Sequence, residues 1–321
     1  MCGLPGGVRD KGRVSTLRKS AIITSTFSSL RLPTSLLAAL WVALLATAPS
    51  VHAQRRGPPD DRQRIDAEAV LYAQPRLIDE ALAHVLPTDP SRPTTYFVGF
   101  SAWAEQDVFV REIAQARDIV DDRLGTRQRS LLLVNHPMAL DEVPLATISN
   151  LEIVLGRLGR IMNVERDTLI LFLTSHGVEN VFGVQFPGFP LNHLTPPRLA
   201  GLLERSGIKN RIVIISACHS GSFVAALKHP TTMVMTAARA DRASFGCSNE
   251  NDWTYFGNAL FNHALRSTTS LTDAFGIAKG LIAGWEAKDK LLASEPQIFV
   301  GENLGPVLDR LAGRPVRRTA E

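Results

Sequence analysis

The chain has 321 residues, of which 45% are hydrophobic and 21% charged, an ordinary globular balance with room for one large domain or two small ones. Its three Cys and eight His exclude a dense metal or disulfide framework. The net charge of +4 belongs to the first 53 residues, which hold six basic side chains and one acid; the other residues number 29 basic and 30 acidic, which gives no electrostatic reason to expect nucleic-acid binding.

Residues 1–35 are polar and basic, and residues 36–48 (LLAALWVALLATA) form an uninterrupted apolar run closed by Pro49. As a helix that run spans about 20 Å, against about 30 Å for a bilayer core. It has the shape of a signal-peptide apolar region, and Val51 and Ala53 supply the small residues of a cleavage site before Gln54. Residues 1–53 are therefore expected to be a signal peptide. It would export the protein to the periplasm or beyond and leave no stable membrane span. The alternative is an inner-membrane anchor through residues 36–48. Leader removal takes Cys2 and leaves Cys218 and Cys247. In an oxidising compartment a disulfide between them and a reduced Cys218 thiol are both open.

Residues 54–64 (QRRGPPDDRQR) read as a linker, and residues 65–86 as a helix broken near Pro75. A second Pro-flanked linker covers 87–93, so residues 54–93 are set apart from a folded domain over 94–321. Within that domain the pattern alternates. Strands are expected at 95–100, 130–135, 168–174, 211–217 and 231–237, with a late edge strand at 297–300. Helices are expected at 106–124, 147–162, 195–206, 222–227, 254–265, 271–285 and 304–311. Residues 181–190 carry Gly and aromatics at hairpin spacing. This alternation means an α/β fold with a mostly parallel sheet covered by helices on both faces.

Two of the strands end in reactive side chains. LILFLTSHG (169–177) runs into His176 and Gly177, and RIVIISACHSG (211–221) into Cys218, His219, Ser220 and Gly221. In open α/β sheets the crevice lies at the carboxyl ends of the strands, which puts a base and a nucleophile at one edge, facing a common cleft. A Cys attacks as thiolate, and a free thiol has a pKa of about 8.5, so a base or a local field is needed. A helix starting near Gly221 would supply that field, and the N–H groups of Gly177 and Cys218 are the expected oxyanion hole. Gly221 is expected to leave room for substrate backbone. Substrate contacts are assigned to His219, Asp241, Ser244 and Asn258. His136 is expected to border the crevice. A zinc site from Cys218, His219 and Cys247 fails on spacing, and no G-x-S-x-G element supports a serine esterase.

TSHG at 174–177, SACHSG at 216–221 and the segment 236–257 (TAARADRASFGCSNENDWTYFG) together resemble the legumain-like cysteine peptidases, peptidase family C13, in their bacterial exported branch. The resemblance implies a caspase-like three-layer sandwich and thiol-dependent cleavage of peptide or protein substrates. It makes His176 the general acid and base, makes Cys218 the nucleophile, and implies no metal or organic cofactor. Legumains choose asparagine at the cleavage position with an Arg-His pair after the first strand and with acidic residues. Residues 101–107 (SAWAEQD) hold no such pair, His219 follows the nucleophile where an acid stands, and Asn258 replaces another acid. A different P1 preference is the expectation. The alternative function is a catalytically silent or redox-latched binding module of the cell envelope.

Overall fold

The computed structural model describes residues 65–313. The signal-peptide and anchor readings of residues 1–53, and the linker at 54–64, lie outside the described residues. Among the described residues no helix is long and apolar enough to cross a membrane.

The chain opens with α1 (Ala67–Ala83) and continues through β1 (Thr95–Ser101), α2 (Asp107–Leu124), β2 (Ser130–Val134), α3 (Ile148–Ile161) and β3 (Thr168–Thr174). A two-stranded hairpin follows, β4 (Gly177–Val178) with β5 (Val181–Phe182), then α4 (Pro196–Arg205) and β6 (Asn210–Ser216). After a 3-10 turn at Ser220–Phe223 come α5 (Val224–Leu227) and β7 (Thr232–Thr236). The remainder holds α6 (Tyr255–Gly257), a π-helical stretch (Asn258–Ala264), α7 (Leu265–Ser267), α8 (Leu271–Lys288), β8 (Gln297–Val300) and α9 (Gly305–Leu311).

The main sheet has the order β2-β1-β3-β6-β7-β8. Every pairing is parallel except β7 with β8, as the alternating pattern predicts. All seven residues of β1, of β3 and of β6 are buried. That is why these strands read as continuous apolar runs rather than as alternations. Alternate residues pack on opposite faces. Val98, Leu171, Leu173, Val213 and Ile215 meet Ile78 and Leu82 of α1, Leu155 of α3 and Leu202 of α4. Phe97, Ile170, Phe172, Ile212 and Ile214 meet Ile113 of α2, Phe261 of the π-helical stretch and Phe275 of α8. Each such buried side chain contributes roughly 1.5–3 kcal/mol, so both layers are held by burial.

Three local expectations are corrected. Helix α1 runs through Pro75 without a break. The carbonyl that loses its donor there belongs to Leu71, on the exposed face of the helix. The helix expected over 254–265 contains the π-helical turn Asn258–Ala264. The helix after Cys218 is only a 3-10 turn followed by the four residues of α5, too short for a helix dipole of any size.

Candidate active site

Strands β3 and β6 run in register from Thr168 opposite Asn210 to Thr174 opposite Ser216. The ladder takes one more step, Ser175 N–H donating to the Ser216 carbonyl at 3.1 Å. Two residues past the last paired position stand His176 and Cys218. The imidazole and the thiol therefore leave the same sheet edge on neighbouring strands.

The His176 residue is 4% exposed. Its ring meets Trp103 edge-on at 4.8 Å between centroids and Phe109 likewise at 5.1 Å. Its Nε2 contacts Oε1 of Gln106 in a very short hydrogen bond. An amide oxygen only accepts, so Nε2 carries the proton and Nδ1 is the basic nitrogen of the neutral ring. Gly183 N–H donates to the His176 carbonyl at 2.9 Å, and Ser175 Oγ donates to the Gly183 carbonyl at 2.7 Å. Gly177 lies opposite Phe182, next to the bonded His176–Gly183 step, and bonded pairs alternate along an antiparallel ladder. Its N–H is thereby turned away from β5. A Cβ on Gly177 would stand 2.4 Å from the Cys218 carbonyl oxygen, so glycine is what lets the two strand ends close.

Cys218 is a thiol, so the bridge to Cys247 does not form. The residue is 1% exposed. Its sulfur accepts from the Ser244 N–H at 3.2 Å and from Ser244 Oγ at 3.7 Å, and lies 3.5 Å from the Ser244 carbonyl oxygen. The Ser244 N–H and hydroxyl hold the sulfur in place, where a helix terminus was expected from the sequence.

The stretch 238–244 is tied down around this turn. His219 has φ of 57°, its N–H donates to the Arg242 carbonyl at 2.7 Å, and its Nδ1 lies 2.9 Å from the Ala240 carbonyl oxygen. Gly221 N–H donates to the Ala238 carbonyl at 2.8 Å. A Cβ on Gly221 would fall 2.6 Å from Ala240 N, so the space expected there for substrate is filled by the protein's own backbone. Arg239 bonds Asp241 at 2.5 and 2.9 Å and Glu295 at 2.5 Å. The Arg239 hydrogen bond holds the Asp241 carboxyl at about 2.

Beside the two strand ends lies an open cleft of about 570 Å³. One wall is Trp103, Glu105, Gln106 and His176; the other is residues 245–248, Asn251, Tyr255 and Leu291. Cys218 is not among the lining residues: the ring faces the cleft and the sulfur sits behind Ser244. The expectation that both face it is corrected to that extent. Nor do His219, Asp241, Ser244 or Asn258 line the cleft; Asn258 Oδ1 accepts from Asn262 at 2.9 Å. His136 borders no part of it, and its Nε2 lies 3.1 Å from Asp107 Oδ1. A second cavity, about 440 Å³ between α1 and α3, contains neither reactive residue.

Trp103, Gln106 and Phe109 are functional neighbours that the sequence reading did not single out. Asn135 explains how the first two are held. Its Nδ2 donates to the carbonyls of Ala102, Ala146 and Gln185 at 3.2, 3.1 and 3.3 Å, stitching the segment after β1 to the segment after β5. Buried and multiply bonded, Asn135 is worth more than a single net hydrogen bond of about 1 kcal/mol.

A parallel sheet that delivers an imidazole and a thiol on adjacent strand ends is a cysteine-peptidase type of scaffold. Residues 145–305, half of the chain, match the Peptidase C13 family, and the chain belongs to that family. The match takes in His176 and Cys218 and begins downstream of Gln106. No curated protein matches the chain. Among solved structures, the crystal structure of caspase-1 from Spodoptera frugiperda is similar at a TM-score of 0.48 and 12% identity, over 67% of this chain and 93% of that one.

Proposed function

We propose that the protein is an exported cysteine endopeptidase that hydrolyses peptide bonds through His176 and Cys218. The observation that supports this reading is the β3–β6 register, which brings the two side chains out side by side. The Cys218 thiol passes its proton to His176 and attacks the scissile carbonyl carbon as the thiolate, and the tetrahedral oxyanion is met by the N–H groups of Gly177 and Cys218. The C–N bond then breaks, and His176 gives a proton to the leaving nitrogen. Water adds to the thioester with His176 taking its proton, which releases the carboxylic acid and restores the thiol. Ser244 holds the sulfur ready by donating to it.

The P1 preference is for a side chain other than asparagine. Supporting this, residues 101–107 carry no Arg-His pair, and the cleft wall holds the Glu105 carboxylate with no Lys or Arg. Purified protein on a peptide library tests both parts. Cys218→Ala and His176→Ala are expected to abolish cleavage with the circular dichroism spectrum unchanged. Retained activity in Cys218→Ala overturns the peptidase reading. Cleavage after Asn faster than after any other residue overturns the specificity.

One observation favours a second reading, a silent binding module: the sulfur is covered. Mapped labelling by iodoacetamide separates the two. A peptidase loses activity as Cys218 is labelled, whereas a binding module is indifferent.

A further inference from the structure

Beneath the two strand ends lies a charged group that the chemistry above does not use. Glu112, on α2, is 0% exposed. It is one helical turn from Phe109, whose ring abuts His176. Its Oε2 accepts a very short hydrogen bond from the hydroxyl of Thr174, two residues before His176. Its Oε1 accepts from Thr254 Oγ1 at 2.6 Å and from Thr254 N–H at 3.2 Å. The Thr254 hydroxyl, its proton committed to Glu112, accepts from Gly257 N–H at 3.0 Å and lies 2.9 Å from the hydroxyl of Ser216, two residues before Cys218. One carboxylate thus ties the end of β3 directly, and the end of β6 through one hydroxyl. Gly257 leaves the space for it: a Cβ there would stand 1.8 Å from Oε1.

We propose that Glu112, in its ionised form, is a positioning residue that fixes the strand ends carrying His176 and Cys218 relative to each other. Two hydroxyls and an amide all pointing at the carboxyl suit an acceptor-only carboxylate. Protonation turns one oxygen into a donor and forces a hydroxyl to rotate away, loosening one of the ties. Burial pushes the carboxyl up to about 7 against the opposing pull of Thr174 and Thr254. The titratable groups on the elements packed against it are His176 beyond β3, Cys218 beyond β6 and Tyr255 after Thr254. On its own helix, Arg111 is engaged with Asp252 at 3.2 Å and Asp107 at 3.4 Å. A shift of an ångström in such a site is worth about 100-fold in rate.

This inference rests on the His176–Cys218 dyad, so its test reads the thiol and not substrate turnover. The rate of Cys218 alkylation by iodoacetamide, mapped by mass spectrometry, is measured from pH 5 to 9 in wild type, Glu112→Gln, Thr174→Val and His176→Ala. Gln imitates the protonated carboxyl. Wild type and Glu112→Gln are expected to agree near pH 5 and to diverge about tenfold or more by pH 8. Thr174→Val, which cuts one tie and leaves the carboxyl, is expected to slow alkylation likewise above neutrality. It decides the matter if Glu112→Gln does not fold. Equal rates at all pH, or a ratio that does not change with pH, overturn the proposal. If His176→Ala alkylates like wild type, the dyad itself fails and the proposal with it. If His176→Ala is slow while the other two variants are normal, only the role of Glu112 falls.

Discussion

Gln106 holds the ring of His176 from a position 70 residues earlier in the chain, its amide oxygen against Nε2. The contact fixes both the tautomer and the ring plane, with Trp103 and Phe109 closing the two sides. Gln106→Ala is expected to lower kcat by about tenfold, less than the roughly 10²–10⁴ that an acid-base group contributes as a whole. Gln106→Glu places a carboxylate where the amide is and favours the imidazolium, so the ascending limb of the rate profile should move to higher pH. Steady-state kinetics on a cleaved peptide from pH 5 to 9 checks both.

Ser244 and the residues after it screen the Cys218 sulfur from the cleft. Folded protein is expected to react with iodoacetamide distinctly faster than with a large dye-linked maleimide, and the difference should vanish in denaturant. Equal rates for the two reagents in the folded protein would show the sulfur open to solvent.

Glu112 has a consequence for stability as well as for positioning. Its folded-state pKa of about 7 lies above the ordinary 4.5. The unfolded chain therefore releases this proton first, and stability falls as pH rises from about 4.5 to 7. The full loss is about 3 kcal/mol and persists above that window. Glu112→Gln lacks this slope. Urea denaturation at pH 4.5 and pH 8 should show wild type losing about 3 kcal/mol relative to the variant between the two.

Gly276 and Gly280 lie on the exposed face of α8 with nothing near the position a Cβ would take. Each Gly→Ala there should stabilise the protein by roughly 0.5–1 kcal/mol, seen as a higher melting temperature. Gly257→Ala should do the reverse, because its new methyl meets the Glu112 carboxylate at 1.8 Å. Restored folding in Gly257→Ala combined with Glu112→Ala would identify that clash as the cause.

The strands that carry the site were legible because a buried parallel strand is an unbroken apolar run, and β3 and β6 each stop abruptly at a reactive residue. Gln106 and Glu112 were not legible in the same way. Each acts on a partner tens of residues away, and no local period records such a contact. Glu112 did leave a trace: it falls on the apolar stripe of α2, between Phe109 and Ala116, where a charge is out of place. The turn after Cys218 misled for a different reason. Gly221 looked like space for a ligand, but the absent methyl accommodates the protein's own residues 238–240.

The parallel pairing of β3 with β6 also sets when in folding the reactive pair can exist. Parallel neighbours cannot be joined by a tight turn, and here the hairpin and α4 lie between the two strands. Each central strand is paired on both sides, which demands contacts between distant parts of the chain and a slow, late assembly. A polypeptide emerging from the ribosome thus carries a scattered histidine and an ordinary cysteine. The juxtaposition of imidazole and thiol comes into being only with the finished sheet.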